Sequence, residues 1–508
     1  MRAPLLGAVP VFIAVACAQN AFALNWRIEP TLEASAIYTD NANHSENDPK
    51  DALILLATPG LILTAQGSRQ LQATLEYDVS GVARVYFGEA DKYDLLHRLN
   101  AAGKAELVDD FLFIDGSARV SQELISLEGS LAEAAIDNSN RADVLSYSIS
   151  PYMKKRLGTF ANAQARYTAS GALYEDVGAL NSRDTSVNAL TADLVNGTRF
   201  NDLSWGLNYS IRKAVYDNLP DSTFERAVAS LGYALTRTFR IFGTAGQEWN
   251  DYPTLAGNEI DGSMWSAGFG WSPSKRTSIE VSRSERFFGG FYSLSARHRT
   301  RASNWNLSYT EDLNDMSGFQ LTTGTMYDYQ CSLVGGGSID YDGWQFTRPP
   351  NEMGYPVSSC ITLSAGMPGL LYDLRSGVFV SRLLRAGMNW GLGKLTYSLT
   401  AFDSRRDFQL VNAEDRTQGV TGALTYRLAP FTSATGSLGL NRIRIPAELS
   451  ENGTDRDDDI YTFSLGVEHQ FDPDLTGGLT YQRQQRDSSI ANGDSRENRI
   501  TATAIMSF

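Results

Sequence analysis

Apolar and polar side chains alternate along most of this chain, from Trp26 to its last residue. Over residues 71–87 nearly every odd position is apolar, and most even positions hold Gln, Thr, Glu, Asp, Ser or Arg. The same period of two recurs over residues 161–173 and 461–467. Such a period is typical of a β-strand with one apolar and one polar face. We therefore predict a succession of strands, each about ten to fifteen residues long.

The final segment, residues 499–508, has the same pattern and ends on an aromatic side chain. A last strand of this kind is typical of outer-membrane β-barrels, in which it pairs with the first strand and removes both edges. The edge of a soluble sandwich has the same local pattern, so the other segments must decide between the two. The apolar face of the predicted closing strand consists of Ile500, Ala502, Ala504, Met506 and Phe508.

The connections between segments alternate between two lengths. Longer polar connections occupy residues 40–51, 126–142, 409–416, 445–459 and 488–495. Outer-membrane barrels have short periplasmic turns and longer outer loops, whereas a sandwich gives no reason for this alternation. We predict an all-β fold, a transmembrane antiparallel up-and-down β-barrel of about 22 strands, with about 18 or 20 as alternatives. The short turns are expected at residues 66–69, 109–110, 157–159, 201–202, 236–238, 272–276, 302–304, 391–394, 429–430 and 472–474.

The N-terminal residues predict export. Arg2 precedes the apolar residues 3–18, and Ala21 and Ala23 flank Phe22 in the small-x-small form of a cleavage site. We interpret residues 1–23 as a signal peptide cleaved near Ala23, and residues 24–508 as one barrel in the outer membrane of a Gram-negative bacterium. A lipoprotein with a lipidated Cys17 is the alternative. No later stretch has the roughly 20 apolar residues of a transmembrane helix.

Five tryptophans lie close to predicted short turns or to the start of the first strand. This position predicts an aromatic girdle at the periplasmic face of the membrane. The alternative is that they are unrelated core residues. They are Trp26, Trp205, Trp271, Trp305 and Trp390.

Charge and motif content narrow the function classes. The net charge of −14 argues against nucleic acid as a partner. The four histidines, His44, His97, His298 and His469, have no Ser or Asp placed by a hydrolytic motif. There is no Gly-rich phosphate loop, HExxH motif or paired Cys motif. We therefore expect a protein that is not an enzyme and that has no cofactor or metal.

The longest connection is predicted over residues 311–377, on the outer side of the barrel. It contains Cys331 and Cys360, the two cysteines that remain after processing. In an oxidising compartment this pair predicts one disulfide. Loops of this length are usually functional or disordered. The connection could fold into the lumen as a constriction, or it could form a binding surface outside.

Polar strand positions supply candidates for the lumen wall. A closed barrel of about 20 strands is wide enough for a water-filled channel or a plugged lumen. Charged side chains on its wall could guide a polar solute, or they could simply pair across strands. The candidates are Arg84, Arg119, Arg166, Arg212, Arg286, Arg406, Arg486, Glu76, Glu280 and Glu468.

Residues 271–309 contain motifs that carry a family resemblance. Trp271-Ser-Pro-Ser-Lys-Arg-Thr277 is followed by Arg286-Phe-Phe-Gly289 and His298-Arg-Thr-Arg301. This pattern resembles the outer-membrane β-barrel family associated with the PEP-CTERM/exosortase system. The resemblance implies a Gram-negative surface system linked to exopolysaccharide synthesis. The chain departs from export barrels that carry periplasmic tetratricopeptide repeats, since no helical repeat precedes the barrel.

Three functional hypotheses follow. The first is a conduit for exopolysaccharide or another polar solute. The second is a surface scaffold or receptor with a closed lumen, and the third is a general diffusion porin. The expected partners are outer-membrane lipid and lipopolysaccharide, the barrel-assembly machinery, exopolysaccharide and periplasmic export proteins.

Overall fold

Over the residues that it describes, the computed structural model contains 25 β-strands, β1 to β25. In the described residues no helix is long and apolar enough to cross a membrane. The structure describes residues 25–66, 70–86, 91–136, 139–175, 184–217, 220–255, 260–315, 328–333, 338–341, 357–364 and 377–508. The strands are β1 Asn25–Thr39, β2 Ala52–Gln66, β3 Leu71–Tyr86, β4 Lys92–Val108, β5 Leu112–Leu124, β6 Arg141–Leu157, β7 Ala161–Glu175, β8 Thr185–Asn196, β9 Leu203–Tyr216, β10 Ser222–Ala234, β11 Phe239–Asp251, β12 Gly262–Ser274, β13 Thr277–Arg286, β14 Gly289–Arg299, β15 Ser303–Asp315, β16 Asp328–Leu333, β17 Ser338–Tyr341, β18 Val357–Ser364, β19 Val378–Leu392, β20 Leu395–Phe408, β21 Ala413–Ala429, β22 Thr432–Ile445, β23 Arg456–Asp472, β24 Leu475–Ser488 and β25 Ser495–Ser507.

Within these residues, 22 strands form one closed antiparallel sheet. Each strand pairs with its neighbours in chain order, and β19 follows β15 directly. The closing strand β25 pairs with β1 from Thr31↔Ser507 to Thr39↔Arg499. Closure leaves no sheet edge, which is the condition for a β-structure to cross a membrane. The prediction of an antiparallel barrel of about 22 strands is confirmed.

Each of the ten predicted short turns lies between two strands of the barrel. In the two-residue turn between β19 and β20, Gly393 has a φ of 60°, which suits a tight hairpin. Most of the opposite connections are longer, although only two residues join β13 to β14 and only four join β20 to β21. Several predicted boundaries were wrong: β21 begins at Ala413 and β23 at Arg456, inside predicted connections, and β15 runs to Asp315, so residues 311–315 belong to the barrel wall. Their pairing with β19 continues to Val378 and keeps the backbone in the sheet.

The strand register assigns residues to two faces, because directly opposite residues share a face. Tyr38 pairs with Leu53, and Leu53 pairs with Val85. These residues lie on the outward, apolar face, while the pair Ile54 and Arg84 lies on the inward face. The same alternation places the five predicted girdle tryptophans on the outward face near the short turns.

A separate three-stranded sheet, β17-β16-β18, lies within the connection from β15 to β19. Its register places Cys331 directly opposite Cys360. Two cysteines on facing positions of adjacent strands have Cα atoms within the range that a disulfide spans. The disulfide itself stays a prediction. The predicted signal peptide, residues 1–23, lies outside the described residues.

Candidate functional site

The inward face of the barrel carries the predicted charged residues. The register links Glu76 to Asn100 and Asn100 to Arg119 on one face, which is also the face of Arg84. The remaining candidates fall on this inward face as well, when the pairs are followed around the barrel. These are Arg166, Arg212, Arg286, Arg406, Arg486, Glu280 and Glu468.

Residues 125–140 connect β5 to β6, and we call them the inner loop; its described residues, 125–136 and 139–140, fold into the barrel. Ile136 is fully buried and packs with Ile37 and Ile54 on the inward faces of β1 and β2. Leu127 is buried against Ile443 on β22, together with Ile445 and Ile460. The inner loop therefore contacts strands from both ends of the chain, and its apolar side chains are removed from water by the barrel wall.

Two arginines of the wall hold the backbone of the inner loop. Arg84 Nε and Nη2 donate to the carbonyl oxygens of Ala135 and Ala134, both at 2.7 Å. Arg486 Nη1 donates to the Gly129 carbonyl at 2.8 Å, and its Nη2 donates to the Leu127 carbonyl at 2.7 Å. Carbonyl oxygens that are removed from water and lack partners are costly, so these hydrogen bonds, one buried and three part-buried, stabilise the inward position of the loop.

Side chains of the inner loop and its base complete this arrangement. Asn140 donates to the carbonyls of Ser126 at 2.7 Å and Ser130 at 2.8 Å, which closes the base of the loop. Glu133 accepts from Arg499 on β25 at 2.8 Å. Glu128 accepts from the Ser450 hydroxyl at 3.1 Å, in the loop between β22 and β23. The inner loop is thus tied to the wall and to a neighbouring outer loop.

The inner loop was not singled out from the sequence, where residues 126–142 were interpreted only as a longer polar connection. A signal was present, because Leu127, Leu131 and Ile136 are more apolar than a solvated loop needs. The predicted constriction was instead the connection of residues 311–377. Residues 316–327, 334–337, 342–356 and 365–376 of that connection lie outside the described part of the chain, so its role stays a prediction.

A second buried cluster lies at the outer ends of β11, β13 and β15. Arg286 donates to Glu248 at 2.9 Å through Nε and to Asp312 at 2.6 Å through Nη1. Its guanidinium carbon lies 4.7 Å from the centre of the Phe288 ring. Burial raises the pKa of the Tyr252 hydroxyl above its ordinary value. The apolar members of this cluster are Tyr252, Leu313, Val378 and Val380, with Phe224, Ile260, Phe287 and Phe288 packed against them.

The inward wall is buried near the outer loops and solvated near the short turns. The side chains of Arg406 and Asp415, at the outer ends of β20 and β21, are 4% and 8% exposed. Those of Arg240 and Glu280, close to the short turns, form an ion pair that is 60% and 46% exposed. The inner loop and buried ion pairs therefore occupy part of the outer half of the lumen, and the wall of the periplasmic half contacts water near the short turns.

The other predicted wall residues differ in their partners. Arg212 donates to Asp315 at 2.7 Å at the outer end of the barrel. Arg166 donates to Asp115 at 2.9 Å in the periplasmic half. Glu468 is exposed near the turn that joins β23 to β24. Among the described residues, no group of three or more His, Cys, Asp or Glu side chains is placed to hold a metal ion.

No family model matches the sequence, and no curated protein matches it. Solved outer-membrane barrels do match the fold. The FrpB iron transporter from Neisseria meningitidis, F5-1 variant, is 11% identical with a TM-score of 0.50, over 95% of this chain and 82% of that chain. The siderophore receptor PirA from Acinetobacter baumannii is 8% identical with a TM-score of 0.48, over 95% and 80%. OpdK from Pseudomonas aeruginosa is 10% identical with a TM-score of 0.34, over 95% and 99%.

At these identities the likeness to FrpB concerns the fold alone. The protein is a large β-barrel that resembles Gram-negative outer-membrane proteins in fold. Lipid and lipopolysaccharide are the surroundings that such a barrel implies.

Proposed function

We propose that this protein is a non-enzymatic outer-membrane conduit for a hydrated polar polymer, and that this polymer is exopolysaccharide. The observation that carries the proposal is the asymmetry of the lumen. Its periplasmic half has a solvated wall, while its outer half holds an inner loop fixed by noncovalent contacts. A polymer could enter from the periplasm, and displacement of the inner loop would then open the way to the cell surface.

The composition of the wall supports a carbohydrate-like solute. A hydrated polymer needs hydrogen-bonding groups along its path more than one dominant sign of charge. Such groups line the inward face of the strands from β15 onward, where neutral side chains predominate in the periplasmic half. They include Asn306, Asn389, Ser398, Thr425 and Thr435.

The resemblance to the PEP-CTERM/exosortase-associated family gives this conduit a biological setting. In that setting the polymer would be delivered by periplasmic export proteins, and the barrel-assembly machinery would insert the barrel. The motifs that carry the resemblance include Arg286, which links β13 to β11 and β15 through Glu248 and Asp312.

Removal of the inner loop tests the proposal. Leu124 and Arg141 are register partners, so a two-residue Asn-Gly turn can replace residues 125–140 and keep the β5–β6 pairing. We expect the loop-replaced protein to conduct more current than the wild type in planar bilayers. Export of polysaccharide should depend on the protein in the matching strains. If both proteins are electrically silent and export is unaffected, the conduit hypothesis is wrong.

A surface scaffold or receptor is the second candidate. Two observations favour it: the inner loop in the outer half of the lumen, and the three-stranded sheet in the connection between β15 and β19. A scaffold would lose partner binding when that sheet is deleted, with no change in conductance. A general diffusion porin would instead pass small neutral and charged solutes without any dependence on the polymer.

A further inference from the structure

Four cations are grouped on the inward wall of β4, β6 and β7, near the short turns. We call Lys104, Lys154, Arg156 and Arg166 the basic patch. The strand register places all four on one face. Lys104 pairs with Asp115 on β5. Lys154 and Arg156 lie two and four positions after Tyr152 on β6, so they share its face, and Tyr152 pairs with Arg166 on β7. They lie beside the turns that join β4 to β5 and β6 to β7, at the periplasmic mouth of the lumen.

Two aromatic rings position three of these cations. Phe113 and Tyr152 face each other across β5 and β6, and their ring centres are 5.1 Å apart. Lys154 Nζ lies 5.5 Å from the Phe113 ring centre and 5.0 Å from that of Tyr152. Lys104 Nζ lies 6.0 Å from the Phe113 ring, and Arg166 Cζ lies 3.8 Å from the Tyr152 ring. A cation over an aromatic face is held in place and keeps its full charge.

The charge balance of this wall differs from that of the outer half. There, Arg286 and Arg406 each face a buried carboxylate. In the basic patch, Asp115 accepts from Arg166 at 2.9 Å. Two further inward carboxylates lie nearby: Glu106 accepts from a backbone N–H in the turn, and Asp193 on β8 accepts from Asn208.

The two lysines are not neutralised in this way. Within the described part of the chain, neither Lys104 nor Lys154 forms an ion pair. The chain as a whole is acidic, with a net charge of −14. Its composition therefore does not explain a local excess of positive charge on the lumen wall. Uncompensated cations at the mouth of a channel attract anions and raise their local concentration.

We infer that the basic patch binds the carboxylate groups of an acidic polysaccharide as the polymer enters the lumen from the periplasm. This inference rests on the proposed conduit function and adds the charge of the polymer. Lys154 reaches into solvent, so its ammonium group is accessible to a carboxylate from the lumen. The neutral hydrogen-bonding wall on the opposite strands would contact the hydroxyl groups of the same polymer.

Binding to purified, detergent-solubilised protein tests the inference without requiring an open lumen. The probes are a hexameric oligogalacturonate and the neutral maltohexaose, and the readout is titration calorimetry at low and high salt. We expect the wild type to bind the acidic hexamer more tightly than the neutral one. The variant K104Q/K154Q should bind the acidic hexamer about tenfold more weakly, because two charge contacts are lost.

The matched control is K155Q, since Lys155 is next to Lys154 in sequence but lies on the outward face. Its affinity for the acidic hexamer should equal that of the wild type. Equal affinity for the two hexamers, or unchanged affinity in K104Q/K154Q, overturns the inference and leaves the conduit standing. Lysine-dependent binding together with silent bilayers supports the basic patch and overturns the conduit instead.

Discussion

Arg84 on β3 and Arg486 on β24 hold opposite ends of the same inner loop by the same kind of contact. Each guanidinium group donates to two backbone carbonyls of the loop, at 2.7 to 2.8 Å. The two strands are far apart in sequence and are separated by β2, β1 and β25 around the barrel. The full set of inner-loop contacts therefore requires the pairing of β25 with β1 that closes the barrel.

The first prediction concerns this arginine pair. The substitution R84A removes the guanidinium donor from two part-buried carbonyls, and a carbonyl left fully buried without a donor costs about 1–3 kcal/mol. We expect the inner loop to leave its position in part, so that limited proteolysis cleaves within residues 125–140 and conductance rises. The double variant R84A/R486A should show a larger effect.

The control for the arginine pair is R240A. Arg240 is also inward-facing, but it lies in the solvated half and is 60% exposed. This variant should keep the wild-type cleavage pattern and conductance. Wild-type protease resistance in R84A/R486A would mean that the arginines do not hold the inner loop.

The second prediction addresses the apolar contacts of the inner loop. Ile136 is fully buried against Ile37 and Ile54, and truncation of such a residue to alanine typically costs about 2–5 kcal/mol. We expect I136A to loosen the inner loop, as measured by hydrogen exchange of residues 125–140, while the barrel strands stay protected. L410A is the control, because Leu410 is exposed in another outer loop. Equal protection in I136A and the wild type would contradict the prediction.

The barrel itself follows closely from the sequence. The period of two gives each strand one apolar face, as the outward row Tyr38, Leu53 and Val85 illustrates. The alternation of short and long connections then orders the strands, because hairpin neighbours must be antiparallel. These signals are local and repeat along the whole chain. For this reason the ten short turns could be placed without knowledge of any long-range contact.

The position of the inner loop could not be predicted in the same way. It depends on contacts between residues far apart in sequence, such as Leu127 with Ile443 and Arg486 with Gly129. A loop has no periodicity that shows which strands it will contact. The inward direction of Arg84 follows from the strand pattern, but its bonds to Ala134 and Ala135 do not.

The third prediction concerns the end of the closing strand. The Phe508 N–H donates to the Pro30 carbonyl at 3.0 Å, and the side chain is 66% exposed on the barrel surface. Deletion of Phe508 should impair assembly, because an unpaired edge in hydrocarbon costs several kcal/mol for each orphan group. The measurement is the amount of heat-modifiable barrel in outer-membrane fractions. F471A is a matched control, since Phe471 is an aromatic residue with 65% exposure near a short turn. Unchanged levels after Phe508 deletion would refute the prediction.

The fourth prediction is that Cys331 and Cys360 form a disulfide. They are register partners in the sheet of β16 and β18. Closing a loop of about 30 residues would contribute roughly 3 to 4 kcal/mol, mostly through the unfolded state. Thiol labelling of the intact, unreduced protein should find neither cysteine reactive, and both should react after reduction. Labelling of both thiols before reduction would exclude the bond.

The last prediction separates the two connections that could control the lumen. Asp315 and Val378 are register partners, so a two-residue turn can replace residues 316–377 and keep the β15–β19 pairing. If this long connection gates the conduit, its replacement should raise conductance even when the inner loop is intact.

The inner loop gives the comparison that decides this question. Its contacts with β1, β2, β22 and β24 involve residues of the barrel wall, so they should survive loss of the long connection. Four proteins therefore need to be compared in bilayers: the wild type, each single replacement and the double replacement. An increase that appears only when residues 125–140 are replaced assigns the gate to the inner loop. An increase that appears with replacement of residues 316–377 alone assigns it to the long connection. If the double replacement is also silent, the barrel is not a conduit and the scaffold function takes its place.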